Sequence, residues 1–170
     1  MRRLILLRHA KSNWDDPTQS DFDRPLNARG KRSAEAIGTW LAAHDYVPAE
    51  VLCSSALRAR ETWDRLAPAF KDPPKPRFLE ALYLADPEET LDCLAQADAA
   101  GVMVIGHNPG FAELAARLVS PAPAHPKFAQ FPTAATLVCD FEVEGWAALR
   151  PGSGRVVDFI IPRDLIDEDQ

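Results

Sequence analysis

Arg8 and His9 stand together directly after a run of apolar residues, Leu4 to Leu7. The same arrangement recurs twice. Val51-Leu52-Cys53 leads into Ser54-Ser55-Ala56-Leu57-Arg58, and Val102-Met103-Val104-Ile105 leads into Gly106-His107-Asn108-Pro109-Gly110. A short continuous apolar run reads as a buried strand, and ligands of open α/β sheets bind beyond the carboxyl ends of such strands. If the three runs are parallel neighbours, Arg8, His9, Arg58 and His107 meet at one edge of a sheet. Such a pocket suits a dianionic phosphoryl group. Arginine forks match phosphate oxygens bidentately. An unprotonated imidazole can attack phosphorus and carry the group as an N-phosphoryl intermediate, and a second histidine can stabilise charge on the transferring oxygens. No metal-ligand spacing accompanies these residues, so positive side chains take the part that Mg²⁺ plays in other phosphoryl-transfer sites, and no cofactor is expected.

The elements that position these residues alternate between strand and helix. Arg3 to Leu7 reads as the first strand. Asn13 to Leu26 is polar and Asp-rich, and its length for a loop points to function. Asn27 is a plausible cap for a helix running to about Asp45, with Ala34, Ile37, Trp40 and Leu41 as its buried stripe and Gly38 weakening it slightly. After the second strand, Ser55 can cap a helix from Ala56 to about Phe70. Lys71 to Arg77 is a proline-rich connection, followed by the apolar stretch Phe78 to Leu84 with Glu80 inside it. Asp86-Pro87-Glu88-Glu89 opens a helix to about Ala99. A helix from Phe111 to Val119 follows the third site. Ser120 to Pro132 is loop, and Thr136 to Phe141 and Arg155 to Ile161 read as late, adjacent antiparallel strands. The class is therefore α/β with a mostly parallel sheet and an antiparallel edge.

At 170 residues the chain suits a single domain, 1–170, whose acidic end, 164–170, is expected to fray. A net charge of -6 argues against nucleic acid as the main partner. No membrane partner is expected: the Met1-Arg2-Arg3 start and Leu4 to Leu7 imitate a leader, but the apolar core is too short. Cys53, Cys93 and Cys139 lie far apart without ligand spacing and read as reduced thiols of a cytoplasmic protein. His44 and His125 read as solvent or helix-end contacts.

Taken together, Leu7-Arg8-His9-Ala10-Lys11-Ser12 resembles the R-H-G signature of the histidine phosphatase (phosphoglycerate-mutase-like) superfamily. Ser54-Ser55-Ala56-Leu57-Arg58-Ala59-Arg60-Glu61-Thr62 looks like its S-x-L-x-R-A-x-x-T element, and Val104-Ile105-Gly106-His107-Asn108 is similar to its late strand ending in a catalytic histidine. Ala10 in place of glycine, Asp21-Phe22-Asp23-Arg24-Pro25-Leu26 with Gly30, and the Gly106 to Gly110 turn resemble the short SixA-type branch of phosphohistidine phosphatases. The resemblance implies a three-layer α/β/α sandwich, mostly parallel with an antiparallel edge strand. It implies His9 as nucleophile, with Arg8, Arg58 and His107 forming the phosphate pocket. Other branches carry an acid that protonates the leaving group; Glu80 lies in the corresponding region, and a partly exposed carboxylate is the plain alternative. Asp15 falls where other branches place a phosphate-contacting asparagine, so its carboxylate should point away. Ser12 is a candidate donor to a phosphoryl oxygen, the alternative being a hydrogen bond within the loop.

The expected activity is removal of phosphate from phosphohistidine on a protein, with a histidine-containing phosphotransfer domain as a candidate partner. Little chain lies between Arg58 and His107 to build a lid, and an open site favours phosphate displayed on a protein surface. The alternatives are a small-molecule phosphomonoesterase with the same nucleophile, acting on a small phosphate ester, and a phosphate-binding module without turnover.

Overall fold

Strand β1 (Arg2–Arg8) sends alternate side chains to opposite faces, and that alternation generates two separate cores. Leu4 and Leu6 pack on one side, while Ile5 and Leu7 pack on the other. The computed structural model describes residues 1–166. Six strands form one sheet: β1, β2 (Glu50–Ser54), β3 (Arg77–Leu79), β4 (Gly101–Gly106), β5 (Thr136–Phe141) and β6 (Arg155–Ile160), in the order β3-β2-β4-β1-β5-β6. The contacts β3–β2, β2–β4 and β4–β1 are parallel; β1–β5 and β5–β6 are antiparallel. The expected antiparallel edge is thus the β5–β6 pair, with β5 running against both of its neighbours.

Helices cover both faces. On one side lie α1 (Ala28–Ala43) and α2 (Leu57–Leu66), whose Ile37, Leu41, Trp63 and Leu66 pack on Ile5, Leu7, Val51 and Met103. On the other lie α3 (Pro87–Ala95) and α4 (Gly110–Leu118), whose Leu94, Phe111, Leu114 and Leu118 pack on Leu4, Leu6, Leu52 and Val104. This is the three-layer α/β/α arrangement. Among the described residues, no helix is long and apolar enough to cross a membrane.

Local chemistry accounts for most element ends. Asn27 accepts the Gly30 amide at 2.7 Å and caps α1. Asp86 and Glu89 form a reciprocal capping box at α3. The expected cap at Ser55 is not formed. Ala56 occupies the cap position, and the Ser54 hydroxyl accepts the Ala56 amide instead, at 3.3 Å. Pro68 ends α2 early, converting Ala67–Ala69 to a 3₁₀ turn rather than continuing to Phe70. Helix α3 likewise stops at Ala95, short of Ala99. Gly38 does more than weaken α1: a Cβ there would sit 2.6 Å from the Leu66 carbonyl oxygen, so its absence lets α1 and α2 approach.

The acidic end does not begin to fray at Asp164. Its carboxylate accepts the Ile161 amide at 3.0 Å and lies 2.9 Å from His125 Nε2, which gives His125 a structural contact. Residues 167–170 of the expected tail lie outside the described residues. Cys53 and Cys139 are buried and Cys93 is half-buried, and all three are free thiols.

Candidate active site

Because β2, β4 and β1 are consecutive and parallel in the sheet, their carboxyl ends emerge side by side. Arg8 closes β1 opposite Gly106 of β4, and the His9 amide donates to the Gly106 carbonyl at 3.0 Å. Arg58 lies in the first turn of α2, which follows directly from β2. His107 follows β4. The four residues come together around a cavity of about 360 Å³, also lined by Lys11, Ser12, Trp14, Asp21, Arg24, Leu84, Asn108 and Thr133.

His9 is held in a defined protonation state. Its Nδ1 lies 2.7 Å from the Ala10 carbonyl, which can only accept, so Nδ1 carries the proton. Nε2 accepts the Nε–H of Arg58 at 3.3 Å. The remaining nitrogen therefore presents a lone pair. Burial drives the His9 pKa well below the usual histidine value, against the opposing Ala10 carbonyl; His107, Arg58 and Arg8 push it the same way as burial. His107 sits with its ring centroid 5.1 Å from that of His9. Its pKa falls to about 3, through burial first and the Arg58 charge next, with Asp21 opposing. Both imidazoles are neutral at neutral pH.

Protein acceptors anchor the cations. Arg8 donates to the Phe131 carbonyl at 3.3 Å, while its Nε is buried without a partner. Arg58 donates to the Asp21 backbone carbonyl at 2.6 Å and to the Asp21 carboxylate at 3.0 Å. Three non-glycine residues in the left-handed region surround the site. Phe131 (φ 47°) holds Arg8, Ala134 (φ 60°) donates its amide to the Arg8 and His9 carbonyls, and Leu84 (φ 50°) lines the cavity. Strained backbone of this kind persists where the surroundings over-determine it, and it concentrates at functional sites.

Other residues proposed from the sequence fall differently. Ser12 is buried at the cavity wall, but its hydroxyl accepts a hydrogen bond from Arg24. Glu80 is exposed, begins a 3₁₀ turn after β3 and is not among the cavity-lining residues. Asp15 is exposed and also absent from the lining, as expected.

The carboxylate inside the cavity is Asp21, to which sequence reasoning assigned no role. It pairs with Arg24 at 2.8 Å and Arg58 at 3.0 Å, and accepts the Tyr83 hydroxyl. Partial burial works against its ionisation, but the bonds from Arg24 and Tyr83 and the charge of Arg58 prevail and hold it far below the usual carboxylate range. Arg24 is a third arginine at the site, with the Trp14 ring centroid 3.5 Å from its guanidinium carbon. The signals for both residues were the unusual length of the 13–26 loop and the Asp21 to Leu26 motif itself.

Residues 4–82 match the family model described as histidine phosphatase superfamily (branch 1). The chain is 37% identical over 165 residues to an uncharacterised protein of Mycobacterium tuberculosis, a match covering 92% of this chain and 100% of that protein. A crystal structure from Agrobacterium tumefaciens, of a protein assigned as the phosphohistidine phosphatase SixA, superposes with a TM-score of 0.81 at 32% identity, covering 95% of this chain and 98% of that one. A second protein so assigned, from Nakamurella multipartitia, gives 0.79 at 29% identity, over 95% and 96%.

Proposed function

We propose, on the premise that this chain belongs to the histidine phosphatase superfamily, of the SixA type, and is a phosphatase, that it hydrolyses N-phosphohistidine carried on a protein. The observation that carries the mechanism is the state of His9: Nδ1–H bound to the Ala10 carbonyl, Nε2 free of its proton, and the ring ringed by Arg8, Arg58 and His107. As substrate enters, the Arg58 Nε–H passes from Nε2 to a phosphoryl oxygen, and the freed Nε2 lone pair attacks phosphorus, forming a P–N bond as the bond to the leaving nitrogen breaks. Water then attacks the phosphoryl group on His9, releasing inorganic phosphate and restoring the imidazole. Arg8, Arg58 and His107 hold the phosphoryl oxygens as charge redistributes, the role of preorganised donors in a water-poor site.

The choice of leaving group follows from the carboxylates. An alkoxide needs a proton as it departs, and that asks for a protonated acid in contact with it. Asp21 alone among the lining residues has a carboxyl group, and its partners keep it ionised. Glu80 is exposed outside the lining. A phosphohistidine protonated on its other ring nitrogen leaves as neutral imidazole and needs no such acid. At the mouth, Trp14 is 75% exposed and Leu84 is 54% exposed, an apolar rim suited to a protein surface rather than to a sugar. A histidine-containing phosphotransfer domain is a partner of the right chemistry.

The test compares a protein phosphorylated on histidine with a panel of phosphate monoesters, using His9→Ala as control. We expect release of phosphate from the phosphohistidine protein well above every ester, and none with the variant. Faster turnover of an ester would replace this substrate class, and undiminished activity of His9→Ala would remove the nucleophile.

A further inference from the structure

The Ser54 hydroxyl lies 2.7 Å from Nε2 of His107, and Ser54 is fully buried at the carboxyl end of β2. The same oxygen accepts the Ala56 amide at 3.3 Å. Nδ1 of His107 is buried without a hydrogen-bond partner. Each neutral imidazole has one N–H and one acceptor nitrogen, and the partner of one nitrogen decides which is which.

We propose that Ser54 is a positioning residue that fixes His107 as the Nδ1–H tautomer, so that this nitrogen donates a hydrogen bond to the bound phosphoryl group. This rests on the reading of the cavity as a phosphoryl site. A hydroxyl has one hydrogen and two lone pairs. With one lone pair taken by the Ala56 amide, the hydrogen is free to go to Nε2, and every group at that contact is satisfied. The reverse assignment has Nε2–H donating to Ser54. The hydroxyl hydrogen would then lack an acceptor among the contacts of Ser54, and the unprotonated Nδ1 would turn a lone pair toward phosphoryl oxygens that also carry lone pairs. Only the first assignment gives a neutral histidine that can bind an anion. It also explains how a ring surrounded by Arg8, Arg24 and Arg58 serves without taking up a charge of its own: the donor comes from the tautomer, not from a second proton.

The device differs from the one at His9. There a backbone carbonyl accepts the Nδ1–H hydrogen bond and leaves Nε2 as a lone pair for attack. At His107 a hydroxyl donates a hydrogen bond to Nε2 and leaves Nδ1–H as a donor. Two histidines of one pocket are thus held in the same tautomer by opposite kinds of partner, and they present opposite faces to the substrate.

Nitrogen-15 NMR of the ring nitrogens, in the full chain at neutral pH, reads the tautomer directly. In the free protein we expect His107 to show a protonated Nδ1 and an acceptor Nε2. Ser54→Ala should lose that single tautomer and reduce turnover about tenfold or more, and Ser54→Thr, which keeps the hydroxyl, should restore both. Titration with inorganic phosphate should shift the His107 Nδ1–H resonance in the wild type. An Nε2–H tautomer in the wild type overturns the proposal without any variant. So does Ser54→Ala that keeps the Nδ1–H tautomer and turns over within twofold of the wild type, or Ser54→Thr that behaves as the alanine variant does. If phosphate perturbs neither His9 nor His107, the phosphoryl-site reading fails, while the tautomer of the free protein still decides the role of Ser54.

Discussion

Arg58 donates its Nε–H to Nε2 of His9 at 3.3 Å. A guanidinium has no acceptor, so this contact exists only while Nε2 lacks a proton. In the proposed mechanism the pairing keeps the attacking nitrogen deprotonated and puts a cation beside the place where the phosphoryl group arrives. Burial and the neighbouring guanidinium both disfavour a second proton on the imidazole.

The first consequence is a pH profile. Burial and the neighbouring cations depress the His9 pKa well below the usual value, so protonation of the free enzyme begins only in distinctly acid solution. The rate constant kcat/KM should stay level as pH falls through 6.5, the ordinary histidine value, and decline well below it. Steady-state assays across pH 4–8 on a substrate stable in acid check this; an acid limb centred near the ordinary value would mean that His9 is not shielded.

Removing a cation should be costly. Arg58→Ala takes away a proposed donor to the phosphoryl group and the partner of Nε2, and should reduce kcat by on the order of 10²–10³, about 3–4 kcal/mol in barrier. Arg8→Ala should fall in the same range. Rapid-quench measurement of the phosphorylated enzyme should show that formation of the His9 adduct, not its breakdown alone, is slowed. A twofold change in either variant would put that arginine outside the phosphate pocket.

Asp21 restrains Arg24 and Arg58 while placing a negative charge in an anion site. Asp21→Asn should therefore bind inorganic phosphate more tightly and turn over roughly tenfold more slowly, because repulsion is relieved as the Arg58 fork loses its anchor. Product-inhibition constants and kcat, measured together, should move in those opposite senses. Weaker phosphate binding would show that orientation outweighs charge.

The rim tests substrate size. Trp14 is exposed and braced on Arg24, so Trp14→Ala should lower kcat/KM for a phosphohistidine protein several-fold more than for phosphoramidate, which has no organic group to reach the rim. Equal losses would locate the role of Trp14 in bracing Arg24.

Acid should also unfold the protein earlier than its carboxylates alone would dictate. His9 and His107 have folded pKa values below the unfolded value, so the unfolded chain binds more protons as pH falls. Their contribution is fully present above the unfolded value near 6.5 and is lost progressively toward the folded value of His107, about 3. Urea midpoints should drop across that window. His107→Gln, which cannot take up the proton, should flatten the drop.

Much of this design was legible in the chain. Each apolar run followed by a polar residue marked a strand that ends at a site, because a buried parallel strand must be apolar throughout and its carboxyl end is where polar side chains emerge. That reasoning located Arg8, His9, Arg58 and His107. It misjudged the ends of α2 and α3, where proline and local capping decide over periodicity. It singled out Glu80 because position along the chain is no guide to which way a carboxylate faces. It left Asp21 and Arg24 without roles because both lie in a loop with no periodicity, and their meeting with Arg58 depends on how that loop folds over the sheet edge.

The sequence by itself determined which residue types stand at the ends of the β1, β2 and β4 strands, and hence a pocket of two histidines and two arginines. Their types follow from the chain alone, and so does the chemistry of a cationic site with two imidazoles. Only the tertiary structure decided the protonation states. The Ala10 carbonyl that accepts the His9 Nδ1–H, the Ser54 hydroxyl on His107, and the Asp21 carboxylate that anchors Arg58 act through hydrogen bonds whose worth depends on distance and burial. Those quantities arise when the strands are packed side by side and water is expelled from between them.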